Sequence, residues 1–200
     1  MGAPWQPLLD WWFGSATTAA EVAAARTGLW FGKQDSQDDQ ARERFAEQVE
    51  QALSGGLADW LAEPAGWLAL ILLLDQLPRM IHRDRPQAFA GDHRAQQLVR
   101  EGLAHGWEAA LTPIQQVFIY LVLEHAEDLP SQTQALARFA ALRAGAAASE
   151  DALFAGYLDY AERHRRVIAR FGRFPHRNSI LGRVSTAEEV AFLREPGSRF

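Results

Sequence analysis

The sequence predicts an all-helical fold, and three observations carry that reading. Helix starts recur along the chain, strand alternation is almost absent, and two apolar stretches have no polar face. The 200 residues, with 48% hydrophobic content, suit one domain over 1–200, because a chain of this size buries roughly 70% of its unfolded surface.

The clearest start is Thr112-Pro113-Ile114-Gln115, which joins an N-cap, a proline at the first helical position and a capping-box glutamine. Asp92, Ser131 and Thr186, with Glu189 three residues on, are similar starts. Helical periodicity between these signals places helices near 5–13, 16–27, 36–53, 64–77, 93–105, 112–124, 131–147, 149–171 and 186–194. The stretches Trp67–Leu74 and Ile114–Leu123 are apolar on every side, so the helices that carry them are expected at the centre. Short connections imply a multi-helix bundle of antiparallel helix pairs. Phe171–Ser185 is the exception, broken into a loop by Gly172, Pro175, Asn178 and Gly182.

Composition narrows the chemistry. With no cysteine, disulfides, thiolate metal sites and cysteine nucleophiles drop out together. The opening MGAPWQPLLDWWFG has no basic residue before its apolar stretch, unlike a secretory signal, and the run Trp67–Leu74 is far short of the ~20 residues of a membrane span. Cytoplasmic residence and no membrane partner are the expectations.

The net charge is −5, yet the segment 163–187 holds seven arginines, two histidines and no carboxylate. Its loop, FGRFPHRNSILGR, presents Arg173, His176, Arg177 and Arg183 between aromatic and aliphatic residues. Guanidinium forks suit carboxylates and phosphates because they donate two parallel hydrogen bonds. A nucleic-acid partner is not expected, since the pI is 5.7 and the basic stretch is short. The plainer role for these arginines is to pair with the chain's own acids or with helix-end carbonyls.

Polar residues also interrupt the core stripes. Asp75 ends the eight-residue apolar run on the face Leu68, Leu72, Asp75, Arg79, so it needs a partner, and Arg79 one turn on is the nearest candidate. If Arg79 is its only partner, Asp75→Leu is the milder change of the two. His164 sits on the stripe Phe154, Tyr157, Ala161, His164, Ile168, Phe171, and His125 continues Ile114, Phe118, Leu121 before Glu127 and Asp128. An inward histidine is more often a hydrogen-bonded core residue than a catalyst, but these two recur with His176. No G-x-S-x-G, phosphate-binding Gly-rich loop or H-E-x-x-H is present, and no spacing demands a metal or cofactor.

The strings LALILLLDQLPRMIHR, LEHAEDLPSQ and FGRFPHRNSILGRVSTAEEVAFL, with LLDWWFG and LWFGK, resemble the bacterial family known as domain of unknown function 924. The resemblance runs from about residue 8 to the C-terminus and implies an all-helical, tetratricopeptide-like superhelical arrangement without an assigned activity. Its recurring polar positions fall on Asp75, Gln76, Arg79, Arg83, His125, Glu127, Asp128, Arg173, His176, Arg177, Asn178 and Arg183. The chain departs from the family pattern at His82, where an aromatic is expected, and at Ala126, where a serine is expected.

The candidate ligand-binding set is therefore Asp75, Arg79, Arg83, His125, Glu127, His164, Arg173, His176, Arg177 and Arg183. The leading expectation is a pocket for a small anionic metabolite or an acidic peptide end. Two rivals stand beside it. One is a hydrolase-like acid–base enzyme using His125 or His164 with Asp75 or Glu127. The other is a protein-interaction adaptor, which needs an exposed apolar groove.

Overall fold

The computed structural model describes residues 2–199, and among them it contains nine α-helices and no strand. They are α1 (Gln6–Phe13), α2 (Ala19–Phe31), α3 (Asp35–Leu53), α4 (Pro64–Ile81), α5 (Asp92–Ala104), α6 (Pro113–Glu124), α7 (Leu129–Gly145), α8 (Asp151–Phe171) and α9 (Ala187–Phe192). Short 3-10 turns over Ala58–Ala62, Pro86–Phe89, Trp107–Ala110, Ala148–Glu150 and Pro175–Arg177 join them. Helices consecutive in sequence pack on each other, α3 on α4, α4 on α5, α6 on α7 and α7 on α8, while α4 also meets α6.

Capping chemistry sets most helix starts. Thr112 and Gln115 form the expected capping box, as do Thr186 and Glu189. A third box, Thr18 with Glu21, starts α2 at Ala19, three residues later than the expected 16, and satisfies its first free N–H groups, and the helix runs on to Phe31 rather than 27. In α7 the cap is Asp128 rather than Ser131, whose backbone N–H donates to the Asp128 carboxylate at 2.7 Å.

The apolar runs do occupy the centre. From Trp67 to Asp75 the residues of α4 have no solvent exposure, and α6 is buried from Val117 to Glu124. An aromatic cluster seals α1 and α2 onto α6, with Trp12, Phe13 and Trp30 all edge-on or stacked around Phe118. A smaller cluster of Val167, Ile168 and Phe174, flanked by Phe171 and Phe192, anchors the C-terminal loop.

One helix outruns its sequence signal. The proline rule stops α4 at Leu77, but the helix continues through Pro78 to Ile81. Proline lacks the N–H that would bond the Leu74 carbonyl, and Gly91 lies against that freed oxygen so closely that a Cβ there would collide with it. The packing helices on all sides hold the turn, and the extension carries Arg79 past the point where the helix was expected to end. The same close approach fixes the first residue of α5, Asp92, beside Arg79.

Candidate functional site

The ends of α4 and α6 and the start of α5 meet beneath the C-terminal loop. Asp75 is wholly buried there, and both of its carboxylate oxygens face His125 Nδ1, at 2.8 and 3.0 Å. Gln76 Nε2 donates to Asp75 Oδ2 at 2.6 Å, and Arg79 Nη1 lies 3.2 Å from Oδ1. The expected Asp75–Arg79 pair is thus present, but Asp75 is not held by Arg79 alone.

Burial by itself would raise the Asp75 pKa, but Arg79, His125 and the hydrogen bonds overcome it and hold the carboxyl far below its usual range. His125 is pushed below its ordinary value, first by burial and then by Arg79 and Arg177, against the pull of Asp75. At neutral pH the pair is therefore a carboxylate and a neutral imidazole. An ionised carboxylate only accepts, so Nδ1 carries the proton and Nε2 is left with a lone pair. No protein hydrogen bond among the described residues uses Nε2, which is not a sealed atom, and the His125 side chain keeps 16% of its exposure.

Two guanidinium groups flank this pair. Arg79 makes a bidentate contact with Asp92, at 2.9 and 3.1 Å, and burial is more than offset by Asp75 and Asp92, so its pKa rises. Arg177 Nη1 donates to the His125 carbonyl at 3.1 Å and lies 3.6 Å from Asp92. The guanidinium is stacked at 4.6 Å on Phe174 and 4.9 Å on Phe89, and its buried Nε–H has no hydrogen-bond partner among the described residues. Burial and the repulsion of Arg79 lower its pKa to about 10.

The rest of the loop is braced by the chain's own acids, the plainer of the two roles that the sequence suggests for its arginines. Arg183 is bidentate to Glu127 at 2.6 and 2.9 Å, and Arg173 to Glu189 at 2.6 and 2.8 Å. Glu127 also accepts the Phe174 N–H at 2.8 Å, and Asn178 reaches both Ser185 and Glu189. Hydrogen bonds from Arg183 and Phe174 help lower the Glu127 pKa despite its burial. These pairs set the loop's shape and leave Arg177 as its inward-directed cation.

His164 belongs to a neighbouring pair. Its Nδ1 lies 2.9 Å from Glu124 Oε1 and 2.9 Å from the Tyr160 carbonyl, and its ring meets Phe174 edge-on at 5.4 Å. His176 contacts the same Phe174 ring, and burial followed by Arg177 and His164 lowers its pKa to about 3. Arg83 is elsewhere, paired with Asp38 at 2.6 Å in a groove of about 680 Å³ between α3 and α4. That groove contains no other member of the candidate set, nor does a second cavity beside Thr18, Thr112 and Glu150. The structure therefore groups Asp75, Arg79, His125 and Arg177, seats Glu127, Arg173, His176 and Arg183 around them, and sets Arg83 apart.

Sequence reasoning missed Asp92, Phe89 and Glu124 as site residues. Asp92 carried only a helix-start signal, and Glu124 was hidden as the last residue of an apolar helix. No group of three or more metal-binding side chains occurs among the described residues.

Fold and site together define a class: all-helical proteins with a buried carboxylate–imidazole pair set between arginines at the meeting of three helix ends. The chain belongs to the family described as bacterial protein of unknown function (DUF924), whose model matches residues 8–197. A solved structure of a protein of unknown function from Agrobacterium tumefaciens is similar, at 34% identity over 88% of this chain and 99% of that one, with a TM-score of 0.72. No curated protein is significantly similar to the chain.

Proposed function

We propose that the protein is an acid–base enzyme acting on an anionic substrate, with His125 as the base, Asp75 as its positioning residue, and Arg79 and Arg177 as the cationic wall. The observation that carries this reading is the orientation of His125 by a wholly buried carboxylate, with Nε2 left unprotonated and without a protein partner. In such an arrangement Nε2 takes the proton of a water as its oxygen attacks the carbon or phosphorus of an ester, and Asp75 stabilises the imidazolium that forms. That proton goes to the departing ester oxygen as its bond breaks. The guanidinium groups would stabilise negative charge on the reacting group. A hydrolase is the reaction class that needs the fewest further groups.

A second reading, binding of a small anionic metabolite or an acidic peptide end without turnover, is favoured by the unpartnered Arg177 Nε. An adaptor role has less support: of the exposed large apolar residues Phe31, Leu129, Tyr160, Leu181, Val184 and Val190, only the last three come from one part of the chain. The consecutive helix pairs nevertheless fit a tetratricopeptide-like superhelical arrangement. Among the described residues no helix is long and apolar enough to cross a membrane, and we infer cytoplasmic residence.

The test is hydrolysis of chromogenic phosphate and carboxylate esters by the wild type and His125→Ala, beside thermal shifts with phosphate, sulfate and succinate at constant ionic strength. Ligand at about 100 times its Kd adds roughly 2.7 kcal/mol to stability. Turnover lost in His125→Ala supports the enzyme, and a shift lost in Arg177→Ala without turnover supports the binder. No turnover and no shift with any probe would remove both readings.

A further inference from the structure

We infer that the Asp92 carboxylate occupies the anion subsite of this centre in the free protein, and that the ligand displacing it is a single dianionic group of the phosphomonoester class. The inference rests on the proposed role of Arg79 and Arg177.

The charges are unevenly matched around Asp92. Arg183 and Arg173 each have a carboxylate of their own, Glu127 and Glu189. Arg79 and Arg177 instead share the outer carboxylate of Asp92, while the inner one, Asp75, is divided among His125, Gln76 and Arg79 and is out of reach of Arg177's hydrogen bonds. Asp92 satisfies the Arg79 fork with near-ideal bidentate geometry but approaches Arg177 only to 3.6 Å. Arg177 is thereby left under-compensated, with an unpartnered Nε–H in a residue exposed by only 6%.

Asp92 is also placed as a removable stand-in. Its side chain retains 15% exposure and Arg79's retains 20%, so solvent reaches the contact. The Phe89 ring lies against both guanidinium groups, 5.4 Å from Arg79 and 4.9 Å from Arg177, and keeps them facing one position. Gly91 pins the backbone of α5 to α4, so a side-chain rotation of Asp92 is the motion required.

The ligand class follows from charge. A monocarboxylate would replace one carboxylate by another and gain nothing from the second guanidinium. A phosphomonoester carries about −1.5 to −2 charge at pH 7 on three acceptor oxygens, enough to bridge both forks at once.

The experiment is calorimetric titration of inorganic phosphate, phenyl phosphate and acetate into the wild type, Asp92→Asn, Asp92→Glu and Arg177→Ala, with melting curves as a folding control. Asp92→Asn is expected to bind both phosphates at least tenfold more tightly than wild type, with acetate gaining less because it reaches only the Arg79 fork. Asp92→Glu, which keeps the charge and reaches further, is expected to bind them no better than wild type, and this variant decides the matter if the asparagine protein does not fold. Equal phosphate affinity in wild type and Asp92→Asn, lost in Arg177→Ala, overturns Asp92 as the occupant while leaving the cationic site intact. Phosphate binding to none of the proteins overturns the inference and the anion-site reading together.

Discussion

Glu124 and His125 are consecutive residues at the end of α6, yet each enters a carboxylate–imidazole pair with a different helix and in a different setting. Glu124 meets His164 of α8, and His125 meets Asp75 of α4. Both carboxylates are buried and both imidazoles make their contact through Nδ1. The surroundings differ. Asp75 is answered by His125, Gln76 and Arg79, whereas Glu124 Oε2 is buried without a hydrogen-bond partner. The His164 side chain is 6% exposed and capped by Phe174, while that of His125 is 16% exposed between two arginines. The same pair of functional groups thus ties helices together in one place and keeps an imidazole open to solvent in the other.

The sharpest way to break that comparison is to remove each carboxylate. Asp75→Leu strands Arg79, His125 and Gln76 in the interior, and losing one member of a buried charge pair costs about 3–5 kcal/mol. Arg79→Leu should cost less, because Asp75 keeps His125 and Gln76, and Asp92 keeps Arg177. This ordering reverses the one expected when Arg79 is the sole partner of Asp75. Glu124→Gln should be milder than either, since glutamine keeps an oxygen for His164 and one carboxylate oxygen is already unpartnered. Urea unfolding of the three proteins gives the order, and equal costs for Asp75→Leu and Glu124→Gln would erase the distinction between the pairs.

A smaller effect comes from His176, which touches the Phe174 ring shared by His164 and Arg177. With its pKa lowered to about 3 by burial, Arg177 and His164, it is neutral in the folded protein across mildly acidic conditions. The unfolded chain binds the proton from about pH 6.5 downward, so folding stability falls with pH there, by at most ~1.4 kcal/mol per unit. Between pH 7 and 5 the loss should be about 2 kcal/mol, and His176→Asn should remove it. An unchanged slope in chemical denaturation of that variant would assign the acid sensitivity to other groups.

How much of this was legible in the sequence follows from where each signal lives. Local signals were sufficient for helix starts such as Thr112 and Thr186, and period alone placed α4 and α6 at the centre. The end of α4 was misread because the proline rule is local, whereas the turn through Pro78 is held by its packed neighbours. The odd polar residues Asp75, His125 and Arg177 could be found because they interrupt apolar stripes or stand in a carboxylate-free loop. Their partners could not. Asp92 comes from 13 residues beyond Arg79, Glu127 from 56 before Arg183, and Asp38 from 45 before Arg83, and no spacing rule reaches across such separations. For the same reason Arg83 was grouped with Arg79, although it follows the end of α4 and turns to α3.

The finest discriminator is the protonation of His125, which nitrogen-15 spectra of its ring read directly. His125 should titrate below the ordinary histidine value, with the proton of its neutral form on Nδ1 and Nε2 bare. Asp75→Asn removes the anion that favours the charged ring while Arg79 and Arg177 remain, so the His125 pKa should fall further. Arg177→Ala removes one of the repelling cations, so it should rise. The two variants therefore move one resonance in opposite directions, and a structural histidine indifferent to its neighbours would follow neither. If His125 proves charged at pH 7, Nε2 carries a proton and cannot act as the resting base. The centre would then be an anion-holding site with one more cation.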